Sequence, residues 1–329
     1  MKNILFPMVI TAFLLLAGCN GSNNGTGGNE NAAVNFPQVQ LPSYINDNMQ
    51  AVSYMVRNYW DKFFAMEGDN LSGTVHGVDS ISFEDAFGMY AQLLTMAQPN
   101  DMVVSVKELF ANLDSLALQG ERKPLLIMMS RAEHYFYDPN SPVLNEEIYL
   151  CALSGILDAR SLSELDKMQY EYQYRICSLN RVGTPAADFT FRELNGRNAS
   201  AGAATFGRYV EKSLYDIKAK YTLVFFNNPD CNACAGILDA MKGSVLEKLV
   251  KNGELKVLAM YIDEDLNAWR ENSSKYPGEW IYAHDHNFIL RNNTLYGLRA
   301  IPSLYLLDKE KRVILKDAPV GSIISYFTK

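Results

Sequence analysis

The stretch that most constrains this chain is Tyr221-Thr222-Leu223-Val224-Phe225-Phe226-Asn227-Asn228-Pro229-Asp230-Cys231-Asn232-Ala233-Cys234. Its first six residues form a short apolar, aromatic-rich run, the pattern of a buried strand. Pro229 ends that strand, because proline has no N–H to offer a sheet ladder. The segment from Ala235 to Met241 then carries a helical pattern. Two cysteines separated by two residues therefore stand at a strand–helix junction, an arrangement suited to thiol–disulfide chemistry.

The amino terminus bounds the compartment. Met1-Lys2-Asn3 is a short positive region, and Ile4 to Leu16 is an apolar run too short for a membrane span of about 20 residues. It ends in Leu16-Ala17-Gly18-Cys19, which resembles the lipobox of bacterial lipoproteins. That resemblance implies cleavage of residues 1–18 and lipidation of Cys19. The following Asn- and Gly-rich segment can form no core, and residues 19–40 read as a flexible tether. Position 20 is Asn and not Asp, which by resemblance to bacterial sorting signals does not match the signal for retention in the inner membrane, and no acidic cluster follows. The expected place is a lipid-anchored, periplasm-facing site in the cell envelope, with the outer membrane favoured over the inner. In that oxidising setting, paired thiols among Cys151, Cys177, Cys231 and Cys234 can become disulfides.

The remaining chain reads as two domains. Its 329 residues, 48% of them hydrophobic and 20% charged, suffice for two cores. The formal charge of −7 argues against nucleic acid as a partner. Over residues 41–180 apolar residues recur at three and four, predicting an all-helical domain of about six helices. The reading places one helix from Ile45 to Phe63, capped by Asn46 or Asp47, then a turn-rich connection over residues 71–82. Helices follow at 83–96, 103–118, 124–137, 145–159 and 161–179, the last opening on a capping-box pattern at Ser161-Leu162-Ser163-Glu164. The aromatic group Tyr59-Trp60-Asp61-Lys62-Phe63-Phe64 reads as core, and Arg131, Glu133 and His134 as a solvated face with a partly buried histidine. Cys151 and Cys177 can meet only if the last two helices pack antiparallel at disulfide distance, which the sequence leaves open.

Beyond Val182 the texture changes to strand alternation. The expected elements are a strand at Phe189–Leu194 and the Tyr221 strand, then one helix from the cysteines to Gly253. A strand at 255–263, a small strand at 280–283 and a helix at 288–296 follow. A hairpin of 303–307 with 312–316 and a closing helix at 320–327 complete the order. It is a βαβ half followed by a ββα half.

Three segments in order now carry a family resemblance. Gly183-Thr184-Pro185-Ala186-Ala187-Asp188-Phe189, Cys231-Asn232-Ala233-Cys234 and Ala300-Ile301-Pro302-Ser303-Leu304-Tyr305-Leu306-Leu307-Asp308 resemble the thioredoxin-like domains of TlpA/ResA-type periplasmic oxidoreductases. The resemblance covers residues 182–329. The helical half resembles, by layout, a domain of unknown function that precedes such domains in bacterial lipoproteins. The implied fold class is α/β: a thioredoxin-like domain with a central mixed sheet flanked by helices, behind an all-α domain.

Physical reasoning assigns roles. Cys231 at the first turn of a helix gains from unpaired N–H groups and the macrodipole, and so is the expected nucleophile. Cys234, one turn on, is the resolving thiol. The resemblance implies that Pro302 is a cis proline lying against the cysteines and that the Ile301 backbone pairs with the substrate chain. Asp230 is a tuning residue: a carboxylate beside Cys231 should oppose the helix dipole. The family's proton-transfer acids have no counterpart, since Phe225 stands at the strand position and Ile237 at the helix position. A peroxidase would need Thr or Ser where Asn228 stands. A zinc site lacks a second cysteine pair, and His284-Asp285-His286 falls in an expected solvated turn, so neither a metal nor a cofactor is assigned.

The functional expectation is a membrane-tethered oxidoreductase exchanging or reducing disulfides of envelope proteins, recharged by an electron donor of unknown identity. The alternative is a redox-slow binding scaffold whose disulfide is structural.

Overall fold

The computed structural model describes residues 33–68, 72–194 and 209–328. Cys19 and the leader therefore lie outside the described residues, as do residues 195–208.

The helical half begins earlier than the sequence suggests. Val34 bridges Val78, and Phe36 is buried against Tyr59, Trp60 and Phe63, so the end of the expected tether belongs to the core. Asp47 alone caps α1 (Asn48–Asn58), accepting from the Gln50 N–H at 2.9 Å. The expected single helix breaks at Tyr59-Trp60, and α2 (Asp61–Phe64) restarts it. Trp60 turns inward at that break and packs edge-on against Phe63 and Tyr90. The turn-rich connection contains a small hairpin, β1 (Thr74–Val75) with β2 (Val78–Asp79). The other helices are α3 (Ser80–Met96), α4 (Pro99–Leu118), α5 (Lys123–Phe136), α6 (Glu146–Asp158) and α7 (Glu164–Cys177). Proline at the start of α4 and near the start of α5 costs no hydrogen bond there. The capping box of α7 is formed by Ser163 with Asp166, two residues later than the sequence pattern places it.

The second half is built on β3 (Thr190–Leu194), β4 (Tyr209–Ser213) and β5 (Tyr221–Asn227), then α8 (Asn232–Met241) and α9 (Val245–Lys251). These are followed by β6 (Leu255–Tyr261), α10 (Leu266–Glu271), β7 (Ile281–His284) and α11 (Ile289–Asn292). β8 (Ser303–Leu307), β9 (Val313–Leu315) and α12 (Val320–Tyr326) close the chain. The strands form one mixed sheet in the order β4-β3-β7-β6-β5-β8-β9. β5 runs parallel to β6 and antiparallel to β8, in the interior of the sheet. Alternate residues face opposite layers, as the strand period of two requires. Leu223, Phe225, Val257, Ala259, Leu304 and Leu306 pack with α8, α9 and α12, whereas Val224, Phe226, Leu258, Met260, Tyr305 and Leu307 pack with Phe189, Leu214 and Tyr296.

Three departures from the sequence reading have physical causes. β4, not expected, pairs with β3 in full register, a long-range pairing invisible to local pattern. The expected long helix after the cysteines is two helices, because Gly243 takes a φ of +68° and Ser244 starts a new cap on Leu246. The expected 288–296 helix shortens to α11, leaving residues 293–302 without helix or strand.

Candidate active site

The site is a consequence of where β5 ends. Asn227 is its last residue, fully buried, with its side-chain amide donating to Phe225 O at 2.8 Å. Asn228 then closes a turn: its carbonyl accepts from Cys231 N–H at 3.1 Å and its Oδ1 from Asp230 N–H at 2.9 Å. This turn delivers Cys231 to the N-cap of α8 in extended conformation.

The two thiols then differ sharply. Cys231 is half-buried, and its Sγ accepts the Cys234 N–H at 3.3 Å. A sulfur at an N-cap, taking a backbone N–H, is placed where negative charge is favoured. Cys234 lies within the core, at 1% exposure. Burial, followed by its contact with Cys231, pushes its thiol up to about 12. The arrangement thus presents one accessible sulfur and keeps the second protonated behind it. The four described cysteines are free thiols: Cys177 is buried and Cys151 half-buried, each apart from the other.

Ile301-Pro302 is a cis peptide, as the resemblance implies, and directly precedes β8. Since Ser303 pairs with Phe226, the residues before it lie at the edge of the sheet where β5 turns into the cysteine loop. The structure therefore brings Cys231, Cys234, Ile301 and Pro302 to one end of the sheet. Asp230 is exposed beside Cys231, its backbone pinned by the Asn228 turn.

Phe225 is fully buried where the family's strand acid would stand, and Ile237 is only half-buried. In the acid's neighbourhood the structure instead places a neutral pair that sequence reading missed. The Tyr276 hydroxyl donates to Asn227 Oδ1 at 2.7 Å, both groups buried. Burial, then the nearby Cys234 and Cys231, raise the Tyr276 pKa. Forty-nine residues separate the partners, so no local motif could have linked them.

His284-Asp285-His286 is a buried structural corner and not a solvated turn. His284 ends β7 against the Trp269 ring at 4.4 Å. Asp285 accepts the Ile289 and Leu290 N–H groups at 2.9 and 2.8 Å, capping α11. His286 Nε2 lies 3.2 Å from Glu211 on β4. Among the described residues no three His, Cys, Asp or Glu side chains gather as metal ligands. His134, expected to be partly buried, has a largely exposed side chain.

Comparison with known proteins agrees with this architecture. The profile of a domain of unknown function, DUF5106, matches residues 18–180. A thioredoxin-like protein from Bacteroides caccae has a solved structure similar to this chain with a TM-score of 0.77 at 30% identity. The match covers 89% of this chain and 98% of that one. The C-terminal domain of an uncharacterised Bacteroides fragilis protein is 39% identical over 46% of this chain and 99% of its own, with a TM-score of 0.40. The thioredoxin domain of a thiol–disulfide oxidoreductase from Bacteroides vulgatus is 18% identical over 45% of this chain and 99% of its own, with a TM-score of 0.36. No curated protein matches. A mixed sheet with the cysteine pair at the end of an interior strand, behind a DUF5106 helical domain and matched over nearly the whole length of the Bacteroides caccae protein, places this chain in the family of thioredoxin-like proteins.

Proposed function

We propose that the chain is a thiol–disulfide oxidoreductase of the cell envelope, held to a membrane by lipid on Cys19. The observation that carries this reading is the division of labour between the half-exposed Cys231 at the N-cap of α8 and the buried Cys234 one turn behind it. The Cys231 thiolate attacks a disulfide R–S–S–R′ of an envelope protein, forming Cys231–S–S–R and releasing R′–S⁻, which takes up a proton. Cys234 then loses its proton and attacks Cys231 Sγ, releasing R–S⁻ and leaving the Cys231–Cys234 disulfide. Two electrons have passed to the substrate, and an external dithiol must return them. Trapping tests this directly: a Cys234→Ser variant in cell envelopes should hold partners in mixed disulfides on Cys231, and a Cys231→Ser variant should hold none. Absence of trapped partners in the former would remove the reading.

A scaffold with a structural disulfide is the second reading, favoured by Phe225 in place of an acid. It requires a Cys231–Cys234 potential below roughly −300 mV, out of reach of ordinary thiol donors. A redox titration against glutathione separates the two.

A further inference from the structure

Residues 293–302 join α11 to β8 with no regular backbone pairing, yet they end at Ile301-Pro302, at the end of the sheet from which β5 leads into the cysteine loop. The helical half holds this run at three points. Asn180 Nδ2 donates to Leu295 O at 2.8 Å. Gly297, with φ +58°, sits so close to α7 that a Cβ there would lie 2.6 Å from the Ile176 side chain. Arg299 makes the third contact. Its guanidinium pairs with Glu146 Oε1 at 2.8 Å, donates to Tyr137 O, and stacks on the Tyr137 ring at 4.2 Å. Glu146 Oε2 in turn pairs with Lys316 at 2.7 Å, and Lys316 donates to Cys177 O at 2.8 Å.

These charges are deeply placed, with side-chain exposures of 14% for Arg299, 13% for Glu146 and 8% for Lys316. Buried ion pairs recover little net stability after desolvation, but a planar fork on a carboxylate and an aromatic face allows few orientations. What such a contact supplies is geometry. Two residues further on, the Ile301 N–H and C=O form no hydrogen bond among the described residues, and the residue is half-exposed. A free backbone edge can add an extended chain by strand pairing.

We infer that the helical half is a positioning domain for the exchange site: Tyr137 and Glu146 hold Arg299 so that the Ile301 backbone is preset for an extended polypeptide carrying a disulfide. This rests on the exchange reading above. It assigns Arg299 as a positioning residue for such a substrate.

The test uses the full chain with a disulfide-linked model peptide and with a small aromatic disulfide. Arg299→Met should raise KM for the peptide roughly tenfold with little change in kcat, as expected when a remote contact orients substrate. Turnover of the small disulfide and the alkylation rate of Cys231 should stay unchanged. Hydrogen exchange of residues 299–304 should quicken in the same variant. Glu146→Gln, which keeps the side-chain shape, should reproduce both effects more weakly and serves if Arg299→Met folds poorly. An equal loss on both substrates, or unchanged peptide KM with unchanged exchange of residues 299–304, would overturn the proposal. A wild-type chain that turned over neither substrate would remove the exchange reading and the presenting role with it, whereas amide exchange would still report whether Arg299 holds the segment.

Discussion

Among the described residues the helical half and the sheet half each contain two cysteines, and they place them in opposite ways. Cys151 and Cys177 sit within helices α6 and α7, where burial raises both pKa values, that of Cys177 to about 12. Glu147 and Glu146 add to the effect on Cys151 and Cys177 respectively. Cys231 sits at a helix start with a backbone N–H on its sulfur. A thiol inside a packed helix is a small apolar residue, whereas one at an N-cap, half in solvent, is a nucleophile. Residue type is the same; position relative to the helix end sets exposure and hydrogen bonding.

The sharpest way to break this contrast is to remove one sulfur from each half. Cys231→Ser should abolish disulfide exchange, by about three orders of magnitude or more, since a hydroxyl at neutral pH is no substitute for a thiolate. Cys151→Ser should leave exchange within about twofold. Equal losses in an insulin-reduction assay would end the comparison.

The next effect lies within the site. Because burial, the largest cause, raises the Cys234 thiol with or without a free Cys231 thiol, its attacking form grows with each rise in pH across the neutral range. Resolution of a preformed mixed disulfide on Cys231, followed by stopped flow, should quicken by about tenfold per pH unit between roughly pH 6 and 9. A plateau near neutrality would mean that another group takes the proton.

His284 sharpens the comparison through stability. Burial, then His286, Arg192 and Arg270, push its pKa down to about 4. The unfolded chain therefore takes up a proton that the native state refuses, so stability is complete above the unfolded value of about 6.5 and falls as pH drops toward 4. The loss should be on the order of 2 kcal/mol. The difference between the unfolding free energies at pH 7 and 4.5, from urea titrations, should be smaller by that amount in His284→Phe than in wild type.

The last contrast is between two helical glycines. A Cβ at Gly155 in α6 would meet Phe110 Cβ at 2.5 Å, so Gly155→Ala should cost about 1–3 kcal/mol by overpacking. At Gly236 in α8 a Cβ meets nothing within 4 Å, so Gly236→Ala should stabilise by roughly 0.5–1 kcal/mol through helix propensity. Thermal melts of both variants check the pair.

Much of this molecule was legible from residue order. The run from Tyr221 to Phe226 had to be a buried strand, Pro229 had to end it, and two cysteines one helical turn apart had to face the same way; each follows from local backbone chemistry. Caps at Asp47, Asn145 and Ser163 are equally local. Tertiary structure decided what depends on residues far apart. Phe36 joins the helical core, β4 pairs with β3, and His284-Asp285-His286 becomes a buried corner because Trp269 and α11 pack on it. Tyr276 reaches Asn227 behind the cysteines, and Glu146 reaches Arg299 across 153 residues. Sequence patterns report which side of an element is apolar. They do not report which distant side chain meets it, because that follows from how all the layers close together.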